Sequence, residues 1–428
     1  LLKGREGLRQ SAFENLEPSV MDYLHAHNTR LVLRLASRIV SHLPKLVLSC
    51  LSALLLSACS QQPVSSLNTA STAINELLDG KSLIRTGYTT GYIPPQENIL
   101  ALSEEMHAFL EHYVPSNGTR QQKLDALLYA LMHKGTLGID YNPASTYTAR
   151  DTFENQSGNC VGFSVLFVAM ARELGLSVKF NNVEIPPVWG FQGKSTFLFY
   201  KHINSIVRLG PGVDKVVDIN IQRYQHHYRQ KRLSDNEAMA QYFNNRGVDF
   251  LLAKDYASAF NYFRKGLSLD PEAEYIWSSL GTLYRRAGLL SDAETAYLQG
   301  LTFGSRNLVI LNNLSHLYKA QGRYDVAEKY RQRVQSAREN NPYYRFALAQ
   351  QAFANNNYDE AMREIEVALK KKKREHQFWY LAARISDRLD GSEMADTYLQ
   401  RAMELVEDQD ILDRYRETKV QFLGRGAG

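Results

Sequence analysis

Five alanines set 34 residues apart, Ala259, Ala293, Ala327, Ala361 and Ala395, constrain the C-terminal half of this chain more than any other feature. Large residues keep the same phase. Phe243, Trp277, Leu311 and Trp379 fall at one site, Gly247 and Gly281 at another, and Phe250, Tyr284 and Tyr318 at a third. Asp255-Tyr256, Arg323-Tyr324 and Asn357-Tyr358 each stand ahead of one of the alanines, and Asp270-Pro271 closes the first unit. A period of this length predicts a helix–turn–helix unit in which small residues let two helices cross closely and aromatics fill the gaps between units. No such unit buries its own apolar face, so the units must stack into a solenoid. A solenoid presents a concave surface to a peptide or protein, or serves as a spacer or dimer contact.

The pattern resembles tetratricopeptide repeats, five of them over residues 240–408, with 409–428 left as a C-terminal tail. The last two units depart most, with Arg345 in place of the first aromatic and Ser386 in place of the third. The run Lys370-Lys371-Lys372-Lys373-Arg374 reads as a solvated helix end, with an anionic partner as the alternative.

The other end reads as an export signal. The first methionine is Met21, so 1–20 are expected to be an upstream extension and 21–58 a signal peptide. Arg30, Arg34, Arg38 and Lys45 precede an apolar stretch of 13 residues, Leu46 to Ala58. That is shorter than the roughly 20 residues a bilayer-spanning helix needs. Leu56-Ser57-Ala58-Cys59 resembles a bacterial lipobox, which implies lipidation at Cys59. With Ser60 next, it also implies anchoring to the periplasmic face of the outer membrane of a Gram-negative bacterium. An ordinary signal peptide cut near Ala58 is the alternative. Residues 59–95 then hold the lipidated cysteine and a tether. Beyond residue 59, 43 Lys and Arg face 41 Asp and Glu, a balance that gives no reason to expect a nucleic-acid partner.

Cysteine counting singles out Cys160. Of three cysteines, Cys50 lies in the signal and Cys59 would carry lipid, which leaves one thiol without a disulfide partner. Such a thiol is either reactive or a small buried hydrophobe. Its setting favours reactivity. The small-residue turn Gly158-Asn159-Cys160-Val161-Gly162-Phe163-Ser164 runs into Val165–Leu176, an apolar stretch of helical length, with the thiol at the junction, and a helix N-terminus carries partial positive charge that favours a thiolate. Upstream, helical spacing runs from about Ile99 to Tyr113 and again from Gln121 to His133. Downstream the pattern alternates, predicting strands over 177–185, 196–207 and 215–221. His202 follows Cys160 by 42 positions and Asp218 follows His202 by 16. Pairing the last two strands about Arg208–Gly212 puts His202 directly opposite Asp218, within reach of a carboxylate–imidazole bond. A slip of one residue would separate them.

These features together resemble the transglutaminase-like, papain-related superfamily over about residues 100–225. The resemblance rests on Thr148-Ala149, Gly158-Asn159-Cys160, Arg172-Glu173-Leu174-Gly175-Leu176, the strand with His202, and Val216-Val217-Asp218. It implies an α+β papain/transglutaminase-like domain over 96–235, its cysteine helix packed on an antiparallel sheet, followed by the all-α tetratricopeptide solenoid. It implies Cys160 as nucleophile, His202 as general base then acid, and Asp218 as orienter. Two positions depart from the family pattern: Asn204 stands where many members carry an aromatic, and Val161-Gly162 replaces an acidic residue. The Cys160 N–H is the first oxyanion donor; Asn155, Gln156 and Trp189 are candidates for a second. No spacing suggests a metal or other cofactor, and His226-His227 reads as an exposed pair.

Two functions follow. In one, the chain is an exported cysteine protease, amidase or acyltransferase acting on peptide amides, and its repeats recruit a protein substrate or partner. In the other it is a catalytically inactive binding or assembly lipoprotein that works through the repeat groove.

Overall fold

Seen in a computed structural model, residues 72–88, 95, 98–184, 201–219, 228–389, 392–406 and 409–425 are described. Helix α1 (Lys81–Arg85) precedes α2 (Glu104–Tyr113) and α3 (Arg120–Met132). Two short strands, β1 (Asp140–Tyr141) and β2 (Ser157–Gly158), pair in parallel on either side of α4 (Ala149–Asn155). Then come α5 (Cys160–Glu173), β3 (Ser177–Glu184), β4 (Lys201–Gly210), β5 (Val213–Val217) and β6 (Gln230–Arg232). The sheet order is β5-β4-β3-β6, antiparallel throughout.

Helix α5 is the centre of this α+β domain. Every residue from Val161 to Ala171 is buried, as its apolar sequence requires. Phe163, Phe167 and Met170 join Leu124 and Leu127 of α3, Phe180 of β3 and Ile203 and Val207 of β4 in one core. Each large side chain of this kind contributes about 2–3 kcal/mol when removed from water. Small residues set the approach to α4: a Cβ on Gly162 would lie 3.1 Å from Thr152 Oγ1 and 3.3 Å from the Tyr147 nitrogen. Glycine at position 162 allows this approach.

Helix α2 begins later than its apolar spacing suggests. Ser103 caps it by accepting from the Met106 N–H, and Ile99, fully buried, lies outside the helix with its carbonyl accepting from the Ala149 N–H at 2.9 Å. The cap competes with the helical pattern and wins because Ile99 closes the start of α4.

The β4–β5 hairpin also differs from expectation. The observed pairs are Ser205 with Val217, Ile206 with Val216 and Val207 with Lys215, and an irregularity lies between Arg208 and Gly210. The turn is Pro211-Gly212, with Gly212 at φ 72°. A two-residue turn with a bulge shifts the ladder by two residues from the expected register. Because side chains alternate with period two, a shift of two keeps His202 and Asp218 on one face.

The C-terminal half is all α. Five helix pairs follow one another: α6 (Asp235–Leu252) with α7 (Tyr256–Leu269), α8 (Glu274–Arg286) with α9 (Leu290–Phe303), α10 (Leu308–Ala320) with α11 (Tyr324–Glu339), α12 (Pro342–Ala354) with α13 (Tyr358–Lys371), and α14 (His376–Arg388) with α15 (Ser392–Leu405). The five register alanines sit on the second helix of each pair and are all buried. The stretch read as a tail forms α16 (Gln409–Arg425) instead; Tyr415 stacks on Tyr380 at 4.2 Å between centroids and its hydroxyl meets His376 Nδ1 at 2.9 Å. A last pair has no successor to cover its apolar face, and α16 supplies the cover.

Part of the expected tether is folded as well. Leu77 and Leu83 are buried in the core of the first repeats, and the Tyr284 hydroxyl donates to the Leu77 carbonyl at 2.5 Å. The lysine run ends α13. Lys371 Nζ donates to Asn340 Oδ1 at 3.1 Å, and Lys372 lies 3.6 Å from Glu375 and donates to the Tyr343 hydroxyl.

The repeat glycines give a prediction. A Cβ on Gly281 would lie 2.6 Å from the Tyr297 ring, and one on Gly247 2.5 Å from Phe263. Alanine gains about 1 kcal/mol in helix propensity over glycine, but overpacking a close core contact costs about 1–3 kcal/mol. Gly281→Ala should therefore lower stability, by up to about 2 kcal/mol. Urea denaturation checks this; a gain in stability would mean that Tyr297 repacks freely.

Candidate functional site

Three elements converge on Cys160. Asn159 caps α5, its Oδ1 accepting from the N–H groups of Val161 and Gly162, each at 3.0 Å. Its amide nitrogen donates to Thr146 Oγ1 at 2.6 Å, so the cap is fixed from both ends. Cys160 occupies the first helical position, half-buried at the edge of the core. The cap takes the N–H groups of Val161 and Gly162 and not that of Cys160.

His202 comes from β4 and Asp218 follows β5. His202 is buried and the Asp218 carboxylate is wholly inaccessible. Asp218 Oδ2 lies 2.5 Å from His202 Nε2. This leaves Nδ1 as the ring nitrogen for a second partner. Burial alone would pull the imidazolium down. The hydrogen bonds the ring donates to Asp218 and then to Cys160 outweigh it, and the group is pushed up to about 9. The structure thus brings Cys160, His202 and Asp218 to one place. The nearer carboxylate of the turn, Asp214, is taken instead by Arg208 and Arg232.

Sequence reasoning missed a second row of polar groups. Asn204 Nδ2 donates to Asp218 Oδ2 at 3.1 Å, and Asn181 Nδ2 of β3 donates to Asn204 Oδ1 at 2.8 Å and to Gln230 Oε1 of β6 at 3.1 Å. Asn181 and Asn204 are fully buried. The available signal was the asparagine at 204, two residues from His202 on the same face. Of the expected oxyanion candidates, Asn155 and Gln156 are exposed, and the Asn155 amide donates to the Asp151 carbonyl at 2.7 Å. Cys59, Trp189 and His226-His227 lie outside the described residues. Among the described residues no group of three His, Cys, Asp or Glu stands where it could hold a metal ion, and no helix is long and apolar enough to cross a membrane.

Residues 116–188 match the model of the transglutaminase-like superfamily. The chain carries a transglutaminase-like domain. The match spans Cys160, Asn159 and β3; His202 and Asp218 lie beyond it, so their place in the transglutaminase-like domain rests on geometry. Residues 320–402 match the model of subunit 3 of the anaphase-promoting complex, cyclosome, and the repeats are of the tetratricopeptide type. Among solved structures the chain is similar to pilF of Pseudomonas aeruginosa, at 15% identity over 44% of this chain and 90% of that one, TM-score 0.24. It is similar also to the tetratricopeptide protein YrrB, at 18% identity over 42% and 92%, TM-score 0.22. A third is MamA of Desulfovibrio magneticus RS-1, at 15% identity over 40% and 97%, TM-score 0.22. No curated protein matches.

Proposed function

We propose that this protein is a thiol-dependent hydrolase or acyltransferase that acts on peptide amides, with its repeats holding a protein substrate or partner. The observation that carries the reading is the buried Asp218–His202 pair at 2.5 Å, with Cys160 acting on the same imidazole. His202 Nδ1 takes the Cys160 proton and the thiolate attacks the amide carbonyl. The Cys160 N–H faces the developing oxyanion. The tetrahedral adduct collapses, His202 returns its proton to the leaving amine, and Cys160 keeps the acyl group as a thioester. Water then gives a carboxylate, or an amine gives a new amide, with His202 taking the incoming proton. Asp218 holds the ring through Nε2 and stabilises the imidazolium at each stage. We propose further that Cys59 is lipidated and that the protein acts from the periplasmic face of an outer membrane; the lipobox-like Leu56-Ser57-Ala58-Cys59 supports this.

An activated ester tests the nucleophile without a known substrate. With p-nitrophenyl acetate, a burst of p-nitrophenolate stoichiometric with protein is expected, and the acetyl group should be found on the tryptic peptide 151–172. Cys160→Ala should lose both. If no acyl group reaches that peptide and Cys160→Ala keeps full function in its host, the reading fails and the repeat groove alone is the working part.

A further inference from the structure

We propose that Asn204, oriented by Asn181, is the positioning residue that holds Asp218 on His202. The inference rests on the thiol chemistry proposed above. It starts from the ladder. Asn181 of β3 is the registered partner of Asn204 of β4. One step beyond the Ser205–Val217 pair, the β4–β5 register sets Asn204 opposite Asp218. Asn204, not His202, is therefore the direct cross-strand neighbour of the carboxylate, and His202 stands on the diagonal. Left to the ladder, the carboxylate would face position 204. To reach His202 Nε2 at 2.5 Å, it must lean along the strand, and it does so while accepting from Asn204 Nδ2 at 3.1 Å through the same oxygen. A phenylalanine or an aliphatic residue at position 204 would have no donor for this.

The amide is oriented as well as placed. Asn181 Nδ2 donates to Asn204 Oδ1, so the Asn204 nitrogen points at Asp218; turned over, Asn204 would set its oxygen against a carboxylate. The second hydrogen of Asn181 goes to Gln230 Oε1, which carries the row to a fourth strand. The row has a cost. Asn181 Oδ1 is buried, and no donor among the described residues meets it. An unmet buried acceptor destabilises the folded state, so two well-packed leucines would serve the sheet better. Its donors are what the site gains.

The test uses the full chain with 13Cε1-labelled histidine, the His202 signal being identified by its loss in His202→Gln. Asn204→Leu keeps the branching at Cγ and removes the donor. The His202 midpoint should fall from about 9 towards the ordinary imidazole value of 6.5, and alkylation of Cys160 should slow by about tenfold. Asn181→Leu leaves every direct partner of Asp218 in place and should move both readings the same way by less. A folded Asn204→Leu with the wild-type midpoint overturns the inference, whatever Cys160 does. If Asn204→Leu does not fold, an unchanged midpoint in Asn181→Leu overturns it equally. A wild-type Cys160 indifferent to His202 would instead sink the thiol reading and leave the shift in midpoint standing.

Discussion

In the His202→Ala variant, alkylation of Cys160 by iodoacetamide at pH 6 is expected to slow by roughly one to two orders of magnitude. An isolated thiol ionising near 8.5 is about 0.3% thiolate at pH 6, whereas one whose proton has passed to a neighbouring imidazole reacts as the thiolate. The gain in thiolate is partly offset by its lower intrinsic nucleophilicity, which is why the expected factor is below the full change in ionisation. His202 supplies the acceptor: it is buried, bound by Asp218, and stays charged to about 9. The rate has to be read on the tryptic peptide 151–172, because in the unprocessed chain Cys50 and Cys59 would also carry thiols. Equal rates in the two proteins would mean that Cys160 and His202 do not share a proton.

The second large effect is on stability and its pH dependence. The folded-state value of His202 lies above its ordinary one, 6.5 raised to about 9. A group raised in this way contributes stability that is fully present below 6.5 and is lost as the pH rises through 9. Asp218 provides the larger share of that raise, and its removal leaves Cys160 alone against the opposing effect of burial. Asp218→Asn should therefore cost more stability at pH 6 than at pH 10, the difference being on the order of 2 kcal/mol. Comparing the two proteins at each pH cancels the titration of groups they share. Denaturant unfolding at both pH values measures it. A cost that is the same at both, or larger at pH 10, would contradict the charge assignment.

The repeats were legible because their signal is redundant: each 34-residue step restates the same small and large positions, and the structure sets each register alanine on the second helix of a pair. Helix α5 was legible for a related reason, since an unbroken apolar run after Gly-Asn-Cys has few alternatives to a buried, capped helix. The hairpin was harder. The alternation of residues 201–218 fixed which face His202 and Asp218 share, but register depends on the turn, and the bulge near Leu209 leaves no mark in a period-two pattern. Asn204 read as a departure from a family pattern, because a donor's value appears only once Asp218 is known to stand opposite it. The apolar positions Ile74, Leu77 and Leu78 repeat at helical spacing and pack on the repeat core, but the polar stretch around them masks that spacing. Helix α16 is not legible from its sequence, which has none of the repeat phases; its role follows from the end of the stack at α15, a property of the stack and not of the segment.

The central claim is that Cys160, His202 and Asp218 work as one unit, and a double-mutant cycle on alkylation of Cys160 tests it most directly. Rates at pH 6 would be taken for the wild type, His202→Ala, Asp218→Ala and the double variant. If Asp218 acts through His202, each single change slows the reaction and the double variant is no slower than His202→Ala. Two independent effects that multiply in the double variant, or a His202→Ala protein as fast as the wild type, would contradict the account.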